Sequence, residues 1–371
     1  IAPAPRAGTV QYTHNLANAL VERGHRVTLV TGIGFELADY PRKYKALEVF
    51  DRYRPRPLRL CRFVWHCLTF RPQIIHLQGA QHPALYILLW AMLRLLGSAS
   101  FVYTPQDVLP NSLRPYHIRA FRFLYARMRH VFLNAKQNEP LVVEHFAVPR
   151  DRITVLPIAD LTAFVREHVA GEPPDIPAAS RVVLCFGLIE PRKGIHTLLS
   201  AAPEVLRQVP DALLLIVGKP LMDIAPLQRQ LTDLGLQERV RLVPQYVSFA
   251  QMAGYFTAAR LLVLPYENGW NSGVLASAFG FGKPVIATRV GGFDEVVSDE
   301  STGLLVPPKD PAVLAQAIVR LLRDDVLYAR MVTNVRQAAA EISWEAIARI
   351  TAARYADVVG IGADCAVSQA R

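Results

Sequence analysis

Two short stretches bring together residue types that hold anions. In "VVLCFGLIEPRKGIHTLLSAAPEVL" an apolar, strand-like run ends at Gly187, and Arg192-Lys193-Gly194 stands directly before a helical pattern. Two cations at a helix entrance beside a strand end clamp a diphosphate, the guanidinium in bidentate fashion and the ammonium as a point charge. A solvated strand-to-helix loop would carry the same residues. In "NSGVLASAFGFGKPVIATRVGG" a helix opens on Ser272-Gly273 and runs through small residues to Gly282, and a strand follows from Pro284 to Thr288. Such a helix start exposes free N–H groups and the positive end of the dipole, and glycine lets a phosphate come close. Both stretches lie in the same half of the chain and on the same predicted sheet edge. Cations from one loop and amides from the other would converge on one diphosphate, that of a nucleotide.

The elements that position these groups follow from the alternation of short apolar runs with helical segments. Strands are expected at Arg26–Thr31, Gln73–Leu77, Ser100–Thr104, His130–Leu133 and Ile153–Leu156, and again at Arg181–Phe186, Ala212–Val217, Arg239–Val243, Arg260–Leu264 and Pro284–Thr288. Continuously apolar strands spaced by helices predict parallel sheets covered on both faces. Between the halves, "GEPPDIPAAS" has a linker composition. The organisation read here is an N-terminal Rossmann-like domain over 1–165, a linker over 166–180 and a C-terminal Rossmann-like domain over 181–342. A last helix over 343–359, capped by Ser343 without a capping box, packs back towards the N-terminal domain, and 360–371 form a tail. Ligand is expected between the domains, at the carboxyl ends of the strands.

At 371 residues, 51% hydrophobic and 19% charged, the chain is an ordinary globular protein of about two domains. Cys61, Cys67, Cys185 and Cys365 show no paired CxxC spacing, which argues against a zinc site or disulfide framework and for buried thiols in a reducing compartment. "PALYILLWAMLRLL", Pro83 to Leu96, is short of the roughly 20 residues that span a bilayer and reads as a core helix. No signal peptide is visible, and since the chain opens on Ile1, N-terminal residues are expected to be missing. The net charge of +10 comes from the first half, where residues 42–129 hold 15 basic and 3 acidic groups interleaved with Phe, Trp, Tyr and Leu. Arg52, Arg54, Arg56, Arg59 and Arg62, then Arg114, Arg119, Arg122, Arg127 and Arg129, suggest a surface that meets anionic membrane or a phosphate-bearing acceptor, not nucleic acid.

The segments "NLANALVERGHRVTLVTG", "FGLIEPRKGIHTLLSAAPEVL", "LLIVGK", "LVLPYENGWNSGVLASAFGFGKPVIATRVGGFDEVV" and "TGLLVPPKDPAVLAQAIVRLL" resemble retaining GT-B glycosyltransferases of family 4, the glycosyl transferases group 1 type. The likeness runs in order along nearly the whole chain and is closer in the second half. It implies an α/β GT-B fold, two Rossmann-like domains whose parallel sheets face each other across a cleft. It also implies transfer of a hexosyl group from a UDP- or GDP-sugar, a substrate bound mainly by the second domain, to a glycan or lipid-linked acceptor held mainly by the first. No cofactor and no metal are implied, and the setting is the cytoplasmic membrane face.

Carried over by residue, Lys193 and Arg192 contact the diphosphate, and Ser272, Gly273 and Val274 hold it through backbone amides. Gly187 closes the strand before that clamp. Gly8 matches a glycine loop near the donor phosphate, or is a plain turn; Tyr246 and Val247 match the region beside the base, or are packing. The sequence departs from the family where two glutamates are usual: those positions fall on Gly269 and Ser277, the latter over the ribose, with Glu267 close by as a candidate. The family's His-Asp reads Gln106-Asp107, where Asp107 orients an acceptor hydroxyl or caps a turn and Gln106 exchanges no proton near neutral pH. His76 stands in for the imidazole or is a satisfied structural histidine. A catalytically impaired nucleotide- or glycan-binding partner subunit, and a nucleotide-sugar epimerase, remain alternatives to the transferase.

Overall fold

The structure, a computed structural model, describes residues 1–6, 8–51, 53–79, 82–106, 108, 115–168, 175–177, 179–269 and 272–360. The chain divides into two compact units, one of Ile1–Leu161 with Ile342–Arg371 and the other of Thr162–Glu341.

Unit 1 begins with α1 (Gly8–Glu22), β1 (Thr28–Gly32), β2 (Lys45–Asp51) and β3 (Arg54–Pro55), and goes on to α2 (Pro57–Phe70), β4 (Ile74–Gln78), α3 (Pro83–Leu96) and β5 (Ser100–Thr104). It is completed by α4 (Pro115–Tyr125), β6 (His130–Leu133), α5 (Asn138–Phe146) and β7 (Ile153–Val155). Strands β4 to β7 form a parallel sheet in chain order. Beside it, β1 and β2 pair in parallel and β2 and β3 antiparallel. One core gathers Phe121, Tyr125 and Phe146 from α4, its C-terminal end and α5; on the opposite side Tyr12 and Leu16 of α1 pack with Phe132, Ile347 and Ala348.

Unit 2 opens with α6 (Ala163–His168), β8 (Arg181–Phe186), α7 (Ile195–Gln208), β9 (Ala212–Val217), α8 (Ala225–Asp233) and β10 (Val240–Val243). There follow α9 (Phe249–Ala258), β11 (Leu261–Leu264), α10 (Gly273–Gly280), β12 (Val285–Thr288), β13 (Gly303–Val306), α11 (Pro311–Arg323) and α12 (Asp325–Glu341). Its six strands are parallel in the order β10-β9-β8-β11-β12-β13. Every residue of β9, β11 and β12 is buried, because α7 and α11 cover one face and α9, α10 and α12 the other. The chain then returns to unit 1 as α13 (Trp344–Val359). There Ser343 accepts from Ala346 N, and Trp344 Nε1 donates to Asp160 O at 2.7 Å.

Several expectations need correction. The segment Thr162–His168 groups with unit 2, where Phe164 meets Phe249 at 5.2 Å, so the change of unit comes before the proline-rich stretch. Strands β2, β3 and β13 were not anticipated. Helix α3 buries only one face, through Pro83, Tyr86, Leu89 and Leu93, and leaves Leu88 and Leu95 exposed, so it is not a core helix. Of the thiols, Cys185 is buried but Cys61 is exposed; Cys365 lies outside the described residues. No helix among the described residues is long and apolar enough to cross a membrane.

Candidate active site

In unit 2 the strand order reverses direction between β8 and β11: the chain steps outward to β9 and β10 from one, and to β12 and β13 from the other. At such a switch point the loops leaving the carboxyl ends of the two central strands diverge and open a crevice. The loop after β8 carries Gly187, Arg192 and Lys193, and the loop after β11 leads through Tyr266 and Glu267 to Ser272 and α10.

Glycine makes this edge tight. Gly194, in the left-handed region at φ 62°, lies so close to the end of β11 that an added Cβ would stand 1.9 Å from Pro265 O. Gly218, at φ 157°, would put a Cβ 1.7 Å from Gly187 O. These approaches press the Lys193 turn onto the β11 loop, where Glu267 N donates to Arg192 O at 2.8 Å. Gly187 likewise faces α10, since a Cβ there would meet Val274 Cγ2 at 3.3 Å.

Lys193 is buried, and its Nζ lies 3.7 Å from the centroid of the Tyr266 ring. Burial first, and the neighbouring Arg192 second, push its pKa down to about 7, against the opposing pull of Glu190 and Cys185. The ring face offsets part of that desolvation. Tyr266 is fixed in turn by its hydroxyl, 3.0 Å from Ser272 Oγ, and by its carbonyl, which accepts from Thr288 Oγ1 at 2.6 Å. Ser272 therefore spends its side chain on Tyr266 and does not cap its own helix, whereas α9, α11 and α13 are capped by Ser248, Asp310 and Ser343. The first turn of α10 keeps its positive end without a side-chain cap.

Arg192 pairs with Glu190 at 2.6 Å. Glu267 sits between His196 Nε2 at 3.0 Å and the Lys309 ammonium, with Nζ at 3.2 Å. Ser277 is buried one turn into α10, on the same face as Gly273. Beyond β10, Tyr246 is exposed while Val247 packs into the core beside Phe256. The structure thus brings Gly187, Arg192, Lys193, Glu267, Ser272, Gly273 and Val274 to one edge. Tyr266, which sequence reading missed, is the floor under Lys193; an aromatic directly after the apolar β11 run was the available signal.

In unit 1, Gly8 opens α1. His76 lies within β4, with Nδ1 2.6 Å from Tyr355 OH and Nε2 2.6 Å from Thr104 Oγ1. Burial above all keeps its pKa well below the usual value, so it is a neutral, satisfied side chain tying α13 to the sheet. Gln78 ends β4, Gln106 follows β5 and Asn134 follows β6, with Asn134 Nδ2 3.5 Å from Gln106 Oε1. Gln78 Oε1, Gln106 Nε2 and Asn134 Oδ1 are buried without a hydrogen-bond partner. Asp107 lies outside the described residues. Among the described residues no three His, Cys, Asp or Glu side chains gather as metal ligands.

The comparisons with known proteins agree with this layout. Residues 7–159 match the family model described as Glycosyl transferase 4-like domain, and residues 180–324 match the one described as Glycosyl transferases group 1, so each unit is similar to a glycosyltransferase domain. Among curated relatives, a phosphatidyl-myo-inositol mannosyltransferase of Mycobacterium leprae is 38% identical over 174 residues, 46% of this chain and 45% of that protein. A D-inositol 3-phosphate glycosyltransferase of Corynebacterium efficiens is 30% identical over 236 residues, 61% of this chain and 55% of that protein. The chain thus spans about half the length of these relatives. Among solved structures, sucrose-phosphate synthase from Thermosynechococcus elongatus matches with a TM-score of 0.68 at 23% identity over 95% of this chain and 94% of that one. Anabaena Alr3699/HepE in complex with UDP matches with 0.73 at 18% identity over 96% and 98%. The fold is GT-B, and the homologues are glycosyltransferases.

Proposed function

We propose that the protein is a retaining glycosyltransferase that moves a hexosyl group from a UDP- or GDP-sugar to a hydroxyl-rich glycan or lipid-linked acceptor, working as a peripheral protein at an anionic membrane face. The observation that carries this is the meeting of the Lys193 turn and the α10 start at the switch point of unit 2. As the bond between the anomeric carbon and the diphosphate breaks, its electron pair stays on the phosphate oxygen. There the Lys193 ammonium and the first N–H groups of α10 stabilise the growing charge. The acceptor oxygen bonds to the anomeric carbon on the face the diphosphate leaves, and its proton passes to the departing phosphate oxygen, so configuration is retained. Arg192 adds a second cation once it exchanges Glu190 for the diphosphate.

Unit 1 supplies the acceptor in this reading. Its three amides at neighbouring strand ends are uncharged and hold unused donor and acceptor capacity, which suits the hydroxyls of a sugar or polyol. The relatives named for inositol phosphate and phosphatidylinositol make inositol-bearing acceptors the first to try. In this reading Glu267, beside His196 and Lys309, is the carboxylate that meets the donor sugar, since Gly269 and Ser277 carry none.

Glycine and serine at those two positions also support a second reading, a binding subunit without transfer. A thermal-shift screen with UDP-, GDP- and ADP-sugars, followed by product analysis with inositol phosphate, phosphatidylinositol and glycan acceptors, tests both. The transferase reading expects one donor to stabilise the protein and to yield a glycosylated product with retained configuration. Binding without product over the whole acceptor panel supports the subunit reading, and no binding refutes both.

A further inference from the structure

Seven of the twelve exposed large apolar side chains among the described residues lie on three consecutive helices of unit 1. On α2 these are Leu58, Trp65 and Leu68, a stripe at i, i+7 and i+10, and Leu58 is 87% exposed. On α3 they are Leu88 and Leu95, seven residues apart, with Ala84 and Ala91 exposed between and beside them. On α4 they are Tyr116 and Phe123, again seven apart. Helix α3 packs between the other two; Trp90 meets Phe123 at 5.9 Å, and the Arg127 guanidinium lies 3.3 Å from the centroid of the Phe123 ring.

The charges on this layer have one sign. Neither α2, α3 nor α4 contains an acidic residue, while Arg59, Arg62, Arg94, Arg119 and Arg122 are all exposed on them. Among the described residues the one acidic partner of these arginines is the Glu48 carboxylate of β2, 3.8 Å from Arg59, while Arg122 donates to His145 O. Exposed apolar residues are unremarkable singly, but a layer rimmed by one sign of charge marks an interaction surface. We infer that the α2–α3–α4 face of unit 1 seats on an anionic lipid bilayer, with Leu58, Trp65, Leu88 and Leu95 entering the headgroup boundary and the arginines against lipid phosphates. Helices of 14 residues lying side by side suit the plane of the interface, and acyl boundary and phosphate supply the apolar and anionic partners together. The inference rests on the proposed membrane setting and deepens it, adding the leucines of α3 to the arginines and interleaved aromatic residues.

The test is co-sedimentation of the full chain with phosphatidylcholine vesicles, with and without phosphatidylglycerol, alongside Trp emission. The expected result is binding that requires phosphatidylglycerol and weakens with salt, together with a blue shift that Trp65→Phe removes. Leu88→Gln with Leu95→Gln lowers the partition coefficient by about tenfold or more, and Arg59→Gln with Arg62→Gln flattens the salt dependence. Sugar-nucleotide affinity serves as the folding control and stays at the wild-type level in each variant. Absence of binding at low salt, leucine variants that bind as the wild type does, or a dimer in solution that the leucine variants dissolve would overturn it. If binding fails while transfer to a water-soluble acceptor persists, the face is misassigned and the transferase reading stands; if transfer fails while binding persists, the reverse holds.

Discussion

The two units are built from the same alternation of parallel strands and helices, yet they place their charge in opposite locations. Unit 2 gathers Arg192, Lys193, Glu267 and an uncapped helix start at the carboxyl edge of its sheet, held by backbone approaches at Gly194 and Gly218. Unit 1 has amides at the corresponding edge and carries its cations on outer helices among exposed leucines. The shared fold thus says little about chemistry. What differs is where the chain desolvates a cation. Lys193 is held buried over an aromatic ring, while the arginines of α2 and α4 remain in water.

The largest effect is expected from the backbone contacts on which the contrast depends. Gly194→Ala should destabilise unit 2 by about 3 kcal/mol or more, because the new Cβ meets a backbone carbonyl at a positive φ. In unit 1, Gly34→Ala, also at positive φ but with nothing within 4 Å, should cost only about 1 kcal/mol. Urea unfolding of both variants checks this; equal losses would mean that the edge of unit 2 is no tighter than an ordinary turn.

Next in size is Lys193→Met, with two effects of opposite sign. Sugar-nucleotide affinity should fall by about 1.5 to 3 kcal/mol, as for loss of a charged hydrogen-bond donor. The free protein should become more stable. Since the folded pKa lies below that of the unfolded chain, wild-type Lys193 costs stability fully at and below about pH 7, and the cost disappears as pH rises towards about 10. Melting curves of both proteins should therefore differ most at pH 7 and below and converge at high pH. A variant less stable at every pH would show that Lys193 is a structural cation.

A smaller effect is expected in unit 1. Gln106→Leu should raise the acceptor KM by about fivefold, one neutral hydrogen bond's worth, and leave donor affinity unchanged. A change in donor affinity instead would break the division of labour between the units. Of about the same size is Ser272→Ala, which removes the Tyr266 hydroxyl's partner at a cost of about 1 kcal/mol; calorimetric melting would show it.

Much of this was legible where a strand is buried on both faces. Ser100–Thr104, His130–Leu133, Arg181–Phe186 and Ala212–Val217 are continuous apolar runs and appear with the expected bounds. Strand β2 was not legible because the apolar residues of "KALEVFD", Ala46, Leu47, Val49 and Phe50, fall at i, i+1, i+3 and i+4 among charged ones, a spacing that a helix face shares. The positions of Lys193 and Ser272 on the switch-point edge followed from strand-to-helix transitions. The Tyr266 floor and the pairs of Arg192 with Glu190 and Glu267 with His196 and Lys309 did not, since they arise from loops brought together by backbone approaches at glycine. Helix α3 was misread because hydrophobicity all round is the signature of a buried helix, and only the structure shows that half of it faces water.

The central claim, that Lys193 takes up charge to hold a sugar-nucleotide diphosphate, is tested most directly by titration calorimetry. UDP-glucose and GDP-mannose would be titrated at pH 8 in buffers of different ionisation enthalpy, because their diphosphates do not themselves titrate near that pH. A lysine with a pKa of about 7 is mostly neutral there before binding and charged after it. For whichever donor binds, the account predicts uptake of close to one proton by the wild type, with none by Lys193→Met and weaker binding. Tight binding by the wild type without proton uptake, matched by Lys193→Met, would contradict it.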